Sequence, residues 1–200
     1  MILVLSQMNK SLFDIIFSLL VLILFFWALL FSWFISIIDT RTNGIFIQQR
    51  IGQYGKKFDI YKLRTIRKDQ SGEEVISSKG RLLRKYKLDE LPQLFNVLRG
   101  TMSVVGARPD IVGYSNLLKG EDRKIIELKP GLSSLASLKY INEEEILEKQ
   151  REPLLYNDTV IFPDKVKMNL EYYYGHSIKG DFIIILKTVQ VLFFRSRIKD

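Results

Sequence analysis

The sequence predicts an α+β protein, mostly helical, in which an N-terminal membrane helix precedes a compact cytoplasmic domain with a short β-hairpin and interfacial amphipathic helices. Three observations predict it. Residues 15–38 (IIFSLLVLILFFWALLFSWFISII) carry no charge. Residues 40–200 are basic, with 29 lysines and arginines against 20 acids. Within that basic part, one segment alternates apolar and polar residues while others repeat apolar residues every three or four positions. The expected division is therefore a membrane-embedded segment over 1–39 and a cytoplasmic domain over 40–200.

Composition narrows the chemistry before any motif is read. A chain of 200 residues suits one folded unit. With 26% charged and 12% aromatic residues, it is no disordered chain. Cysteine is absent, which removes disulfides, thiolate metal sites and cysteine nucleophiles. A single histidine, His176, argues against a histidine-based metal site or a serine–histidine relay. Carboxylates, arginines and lysines are left to do the work.

The apolar segment is long enough for a bilayer core of about 30 Å, which needs about 20 helical residues. It is apolar on every face, unlike the helix of a soluble core. No small-residue cleavage site follows it, so it is not a secretory signal. Only Lys10 precedes it, whereas Arg41, Arg50, Lys56, Lys57, Lys62, Arg64, Arg67 and Lys68 follow closely. That asymmetry places residues 40–200 on the cytoplasmic side. A basic domain held there attracts anionic head groups and phosphate-bearing substrates. No nucleic-acid-binding signature is present, so nucleic acid is not an expected partner.

The remaining elements follow in order. Residues 44–66, alternating around Gly52 and Gly55, predict a hairpin. Residues 69–80 (DQSGEEVISSKG) read as a polar loop. Leu82, Leu83, Leu88, Leu91, Leu94, Phe95 and Leu98 predict a helix over 80–99, stopped by Gly100. Short helices are expected at 121–128 and 142–150. The apolar stretch 181–194 suits an interfacial helix with Arg195, Arg197 and Lys199 beside head groups, or equally a core helix. Tyr172, Tyr173, Tyr174 and His176 read as packing residues.

Asp89 and Glu90 are the residues most suggestive of chemistry. They stand near a helix start, with Pro92 tolerated in its first turn and Arg84, Lys85 and Lys87 just upstream. Both are expected to be ionised at neutral pH. An aspartate can attack phosphorus, and a neighbouring glutamate can hold Mg²⁺. An Asp-Glu pair on a solvated helix cap would look the same in isolation.

The context resembles the bacterial sugar transferases, the monotopic phosphoglycosyl transferases. The resemblance is carried by Leu88–Leu98 (LDELPQLFNVL) and by Gly100–Pro109 (GTMSVVGARP). It extends to Gln49-Arg50-Ile51-Gly52, Gly55-Lys56, Tyr61–Thr65 and Lys129-Pro130-Gly131. It implies transfer of a sugar-1-phosphate from a UDP-sugar to polyprenol phosphate at the bacterial inner membrane, on its cytoplasmic side. It further implies Asp89 as nucleophile forming a covalent phosphosugar enzyme, and Glu90, with Asp89 beside it, serving Mg²⁺. Arg84 and Arg108 become phosphate-binding residues, with Arg50, Lys62 and Arg64 as further contributors. A homo-oligomer is compatible with all of this.

Three departures from the family pattern stand out. The Ser-Pro pair that turns the hydrophobic helix back falls here at Phe26-Trp27, so a full span and a re-entrant hairpin are both open. Gly106-Ala107-Arg108-Pro109 loses one proline of the usual motif. After Gly131 the chain reads LSSLASLKYINEEE, so Lys139 is the nearest replacement for a family arginine, and Glu143–Glu145 read as a solvated helix start. The rival to an enzyme is a non-catalytic membrane adaptor that binds anionic lipids or glycan-assembly enzymes.

Overall fold

The structure, a computed structural model, describes residues 2–194. Its first two helices, α1 (Ile2–Leu24) and α2 (Phe26–Thr40), are one apolar run broken at Phe25. Met8–Leu24 and Phe26–Thr40 meet at 69°. Among the described residues no single helix is long and apolar enough to cross a membrane, although the bent pair together is. The Phe25 amide still bonds to the Val21 carbonyl and the Leu29 amide to the Phe25 carbonyl, both at 2.9 Å. No proline or glycine marks the break.

Both arms are instead fastened to one body. On α1, Lys10 pairs with Asp181 at 2.5 Å and Asp14 accepts the Val104 amide at 3.1 Å. On α2, the Ser36 hydroxyl lies 2.9 Å from the Gly44 carbonyl and 2.7 Å from that of Arg64, and Asp39 accepts from Ser77 at 2.6 Å. Away from these contacts the arms present bare apolar side chains, among them Ile16, Ile23, Trp27 and Phe31.

The expected hairpin forms from β1 (Ile45–Ile51) and β2 (Lys57–Leu63), antiparallel with Ile45 opposite Leu63. The polar stretch after it is not simply a loop. β3 (Ile66–Lys68) and β4 (Glu74–Ile76) make a second hairpin, because Asp69 Oδ1 accepts the Ser71 and Glu73 amides at 2.8 and 3.1 Å and closes the turn.

The single helix expected over 80–99 is also corrected. α3 (Ser78–Lys85), capped by Ser77 on the Gly80 amide at 3.0 Å, ends before Lys87, which is left-handed at φ 54°. A 3₁₀ turn over Leu88–Glu90 follows, and α4 (Gln93–Leu98) starts after Pro92. Leucines spaced by three and four continue across so short a break, which hides it from periodicity. Gly100, at φ 75°, is the stop that was expected.

β5 (Ser103–Val105) runs parallel to β6 (Gly131–Ser133). The two strands approach so closely past Gly106 that a Cβ on Gly131 would lie 2.0 Å from the Gly106 nitrogen. Then come α5 (Leu135–Lys139), α6 (Glu143–Glu148) and α7 (Pro153–Tyr156), the last running through a π turn at Asn157–Ile161 into α8 (Phe162–Gly175). The expected helix at 121–128 is a 3₁₀ helix over Gly120–Glu127, and that at 142–150 is α6.

The main core joins Ile60 of β2, Val97 of α4, Val104 and Val105 of β5, and Ile184 and Ile185, with Phe13 and Phe17 of α1 packed against it. The last helix, α9 (Ile178–Phe194), thus satisfies both sequence readings on different faces. Ile184 and Ile185 are buried, while Phe182, Ile183 and Leu186 are exposed. Arg195, Arg197 and Lys199 lie outside the described residues. The tyrosine run packs: Tyr172 donates to Asp181 at 2.7 Å, Tyr173 to Glu127 at 2.6 Å, and the carbonyl of Tyr173 lies 2.9 Å from His176 Nδ1.

Candidate active site

The left-handed backbone at Lys87 bends the chain out of α3 and swings the 3₁₀ turn inward. Asp89 and Glu90 therefore sit inside the protein rather than on a solvated cap, at 8% and 6% exposure. Burial on this scale demands partners for a charge. Glu90 has them in excess. Lys62 from β2 lies 3.2 Å from Oε1, Arg108 donates to both carboxylate oxygens, and Lys87 Nζ is 4.0 Å away.

Asp89 has no such partners. Its Oδ1 is buried without a hydrogen-bond donor among the described residues. This contrast separates the titration of two adjacent acids. Burial pushes the Glu90 carboxyl up, but the charges of Arg108, Lys62 and Lys87 outweigh it and hold the group well below the usual carboxylate range. Burial also raises Asp89, the charge on Glu90 adds to that, and Lys62, Lys87 and Arg84 only partly offset it. The sequence expects both acids near a helix start with cations upstream, which would favour their charged forms; burial in the closed turn is why the Asp89 carboxyl is pushed up instead.

The remaining sequence-predicted residues divide into two groups. Lys62 and Arg108 join the dyad directly, and Glu90 raises the Arg108 guanidinium further above its ordinary value. Arg50 belongs to the same cluster: burial and then the Arg108 charge lower it, Asp110 and Glu90 act in the opposite sense, and its Nη2 donates to Gln48 at 2.7 Å. Arg84 acts electrostatically on Asp89, but its guanidinium is paired with Glu144 at 2.5 Å. Two residues stay apart from the dyad. Arg64 lies over the Phe46 ring, 5.4 Å from its centroid, and Lys139 pairs with Asp164 at 2.7 Å.

Lys165, Glu143 and Asp110 join the cluster unannounced by the sequence. Lys165 pairs with Glu143 at 2.5 Å, and both act on Asp110, which burial raises. Glu143 also acts on Arg108, so the acidic run is no purely solvated helix start. Asp110 follows the GARP motif directly, the one signal that would have found it; Lys165 is 55 residues further on.

Among the described residues no group of three or more acidic or histidine side chains could hold a metal ion. Of the pair, Asp89 has the free oxygen that suits Mg²⁺, which characteristically takes one or two carboxylates and fills its other positions with water and substrate phosphate oxygens; Glu90 would join it only by giving up a contact with Lys62 or Arg108. An unpartnered buried oxygen on Asp89 is the feature that suits either a metal contact or an incoming phosphorus.

A buried carboxylate with a free oxygen beside a clamped one, ringed by cations, is chemically suited to a phosphate-bearing ligand. Comparison with known proteins gives the family. The bacterial sugar transferase profile matches residues 5–195, and the chain belongs to that family. It is 34% identical over 200 residues to the UDP-glucose:undecaprenyl-phosphate glucose-1-phosphate transferase of Klebsiella pneumoniae, covering 92% of this chain and 40% of that protein. A Caulobacter vibrioides protein of the same name is 30% identical over 199 residues, covering 93% of this chain and 70% of the relative. The sugar transferase EpsL of Bacillus subtilis, a protein of uncharacterised activity, is 36% identical over 136 residues, covering 64% and 67% respectively. The chain thus spans well under half of the Klebsiella enzyme.

Proposed function

We propose that this protein is a phosphoglycosyl transferase moving a sugar-1-phosphate from a UDP-sugar to undecaprenyl phosphate, the first membrane step in building a bacterial polysaccharide or glycoconjugate. The observation that carries the reading is the inequality within the dyad: Glu90 is saturated by cations while Asp89 keeps a buried oxygen free. An oxygen without donors keeps its lone pairs for a nucleophilic attack.

In the first step an Asp89 oxygen bonds to the sugar-bearing phosphorus. The bond from that phosphorus to the bridging oxygen breaks, and UMP departs with the electron pair. In the second step an oxygen of undecaprenyl phosphate attacks the same phosphorus. The acyl-phosphate bond then breaks, regenerating the Asp89 carboxylate and releasing the lipid diphosphate sugar. Arg108 and Lys62 fix Glu90 and supply positive potential where diphosphate oxygens gather, with Arg50 and Lys165 behind them. Arg84, once it leaves Glu144, adds a further guanidinium for phosphate. Asp89, joined by Glu90 once Lys62 turns from it towards phosphate, would hold Mg²⁺, whose chemistry is to neutralise charge on the leaving nucleotide.

The bent helix pair supports a re-entrant membrane segment over 1–39, with residues 40–200 as a catalytic domain at the cytoplasmic face of the inner membrane. Lys10 on the first arm and Ser36 on the second contact the same body, which a straight span would not allow. The bare apolar side chains of both arms and of α9 would face lipid, and α2 packs against the 3₁₀ turn that carries the dyad, which supports an acceptor head group arriving near it.

The test uses purified protein in nanodiscs with undecaprenyl phosphate, Mg²⁺ and a panel of UDP-sugars. UMP release with one or more sugars is expected, together with a mass increase of one sugar phosphate on the protein when the acceptor is omitted. An adduct that persists in Asp89→Asn removes Asp89 from the nucleophile's role, and absence of UMP release with every sugar overturns the function.

A further inference from the structure

A cavity of about 370 Å³ lies apart from the dyad, lined by Gly113, Tyr114, Leu117, Leu118, Asp158 and Phe162. Two separate stretches of chain build it. Gly113, at φ 110°, and the Asn116 side chain, which accepts the Gly113 amide at 2.7 Å, turn the loop that presents Tyr114. The π turn Asn157–Ile161 presents Asp158, and such turns often mark functional positions within helices. The stretches are tied together at one point. Tyr114 donates to Asp158 Oδ1 at 3.1 Å, and Asn157 Nδ2 lies 3.0 Å from the same oxygen and 3.2 Å from the Tyr114 hydroxyl. The Phe162 ring meets that of Tyr114 edge to face at 5.1 Å.

The cavity adjoins the cation cluster through both of its walls. Phe162 and Lys165 are three residues apart on α8, a rise of about 4.5 Å on one helix face. Lys165 is the cation paired with Glu143 and acting on Asp110. On the other wall, Ser115 beside Tyr114 hydrogen-bonds Asp110, two residues beyond Arg108. A nucleotide sugar with its phosphates at Arg108 would therefore turn one of its two neutral ends, nucleoside or sugar, towards this cavity.

We infer that this cavity binds the nucleoside half of the nucleotide sugar, with Asp158 accepting hydrogen bonds from its ribose or base and the Tyr114–Phe162 pair lying against the flat base. The inference rests on the proposed transferase activity and adds the residues that recognise its donor. Polar economy favours a nucleoside over a hexose. Leu117, Leu118 and Phe162 offer no hydrogen bonds, and a hexose has a hydroxyl on almost every carbon; several would be buried unpaired, at a cost for each. A pyrimidine nucleoside has apolar faces and confines its polar atoms to edges, which one carboxylate with a neighbouring amide can serve.

The experiment measures binding of UMP and UDP by calorimetry in the presence of Mg²⁺, alongside UMP release from the best UDP-sugar. Asp158→Asn is nearly isosteric, and Leu117→Trp fills the cavity from a largely exposed position, so one variant remains informative if the other unfolds. Each is expected to weaken UMP binding about tenfold or more, the scale of one hydrogen bond to a charged group. KM for the UDP-sugar should rise in parallel while kcat changes little. Unchanged UMP affinity in both variants, with wild-type turnover intact, overturns the nucleoside pocket and leaves the transferase standing. Normal UMP affinity with a raised KM for UDP-sugar assigns the cavity to the sugar and overturns the inference as well. A wild-type protein that releases no UMP from any donor overturns the underlying function instead.

Discussion

Among the described residues two pairs of acids are buried, and they are treated in opposite ways. Asp14 and Asp181, at 3% and 0% exposure, lie around Lys10 where α1 meets α9. Each acid there has a donor: Asp181 takes Lys10 on one oxygen and Tyr172 on the other, and Asp14 takes the Val104 amide. Asp89 and Glu90 are buried to nearly the same degree, yet all the strong donors fall on Glu90. Burial with partners makes a fastener. Burial of a carboxylate without them leaves an oxygen that costs stability and is available for chemistry.

Two substitutions at the second pair break this comparison most forcefully. Asp89→Asn should reduce turnover by on the order of 10⁴–10⁶, the range seen when a covalent nucleophile or its partner is lost. Glu90→Gln should lower the rate and weaken its dependence on Mg²⁺ together. An unchanged Mg²⁺ titration with a reduced rate would make Glu90 only an anchor for Arg108 and Lys62.

At the first pair the effect should fall on stability. Lys10→Met strands Asp181 with Tyr172 alone and should destabilise the fold by about 3–5 kcal/mol in denaturant titrations, as breaking a buried ion pair does. Adding Asp181→Asn should recover part of the loss, because the uncompensated charge goes while an acceptor for Tyr172 stays. If the single variant is as stable as the wild type, the α1 arm is not held by this contact and the fastening argument for the bent helix pair fails at that end.

The two pairs also differ in how far the sequence announced them. The 89–90 dyad stood out because LDELPQLF and GARP both fall within residues 88–109, so the chemistry was concentrated in one stretch. The Lys10–Asp181 contact joins residues 171 apart, with nothing local to signal it. The same holds for Lys165, which reaches the cluster only because α8 packs beside it. The uncharged run and the first hairpin were legible because hydrophobicity and alternation are local properties. The bend at Phe25 was signalled only by the family resemblance, which puts a turn at Phe26-Trp27, since no proline or glycine causes it and both arms are tied down by distant contacts. Lys87 misled in another way: a left-handed residue leaves the spacing of leucines almost intact, so a broken helix reads as a continuous one. Lys139 was placed near the site by analogy with an arginine, but its closest acid is Asp164 on α8.

A smaller effect is expected at the edge of the dyad cluster. Arg84 is held by Glu144, which is 78% exposed, so the pair is a surface ion pair of little worth to the fold. Glu144→Gln should leave stability unchanged within about 0.5 kcal/mol. It should lower KM for the UDP-sugar by no more than about fivefold, equivalent to the upper end of a surface pair. A raised KM would mean that Glu144 positions Arg84 for phosphate rather than withholding it.

The smallest effect separates the two acids of the dyad by pH. In the unfolded chain Asp89 titrates near 3.8, and in the folded protein it titrates higher. Between those values the folded state keeps a proton that the unfolded state has lost, so stability falls as pH rises through the interval. Above it a constant penalty remains. Glu90 behaves in the reverse sense: its folded value is depressed, so it contributes stability above its ordinary 4.5 that is lost as the medium is acidified. Asp89→Asn removes the penalty and also the repulsion that Glu90 feels. The inactive variant should therefore melt at a higher temperature than the wild type at neutral pH, with the gap closing as the pH falls from the folded value of Asp89 towards 3.8 and absent below it, where the wild-type acid is protonated in both states. Equal melting temperatures at neutral pH would mean that the Asp89 oxygen is solvated after all, and the contrast between the two buried pairs would lose its physical basis.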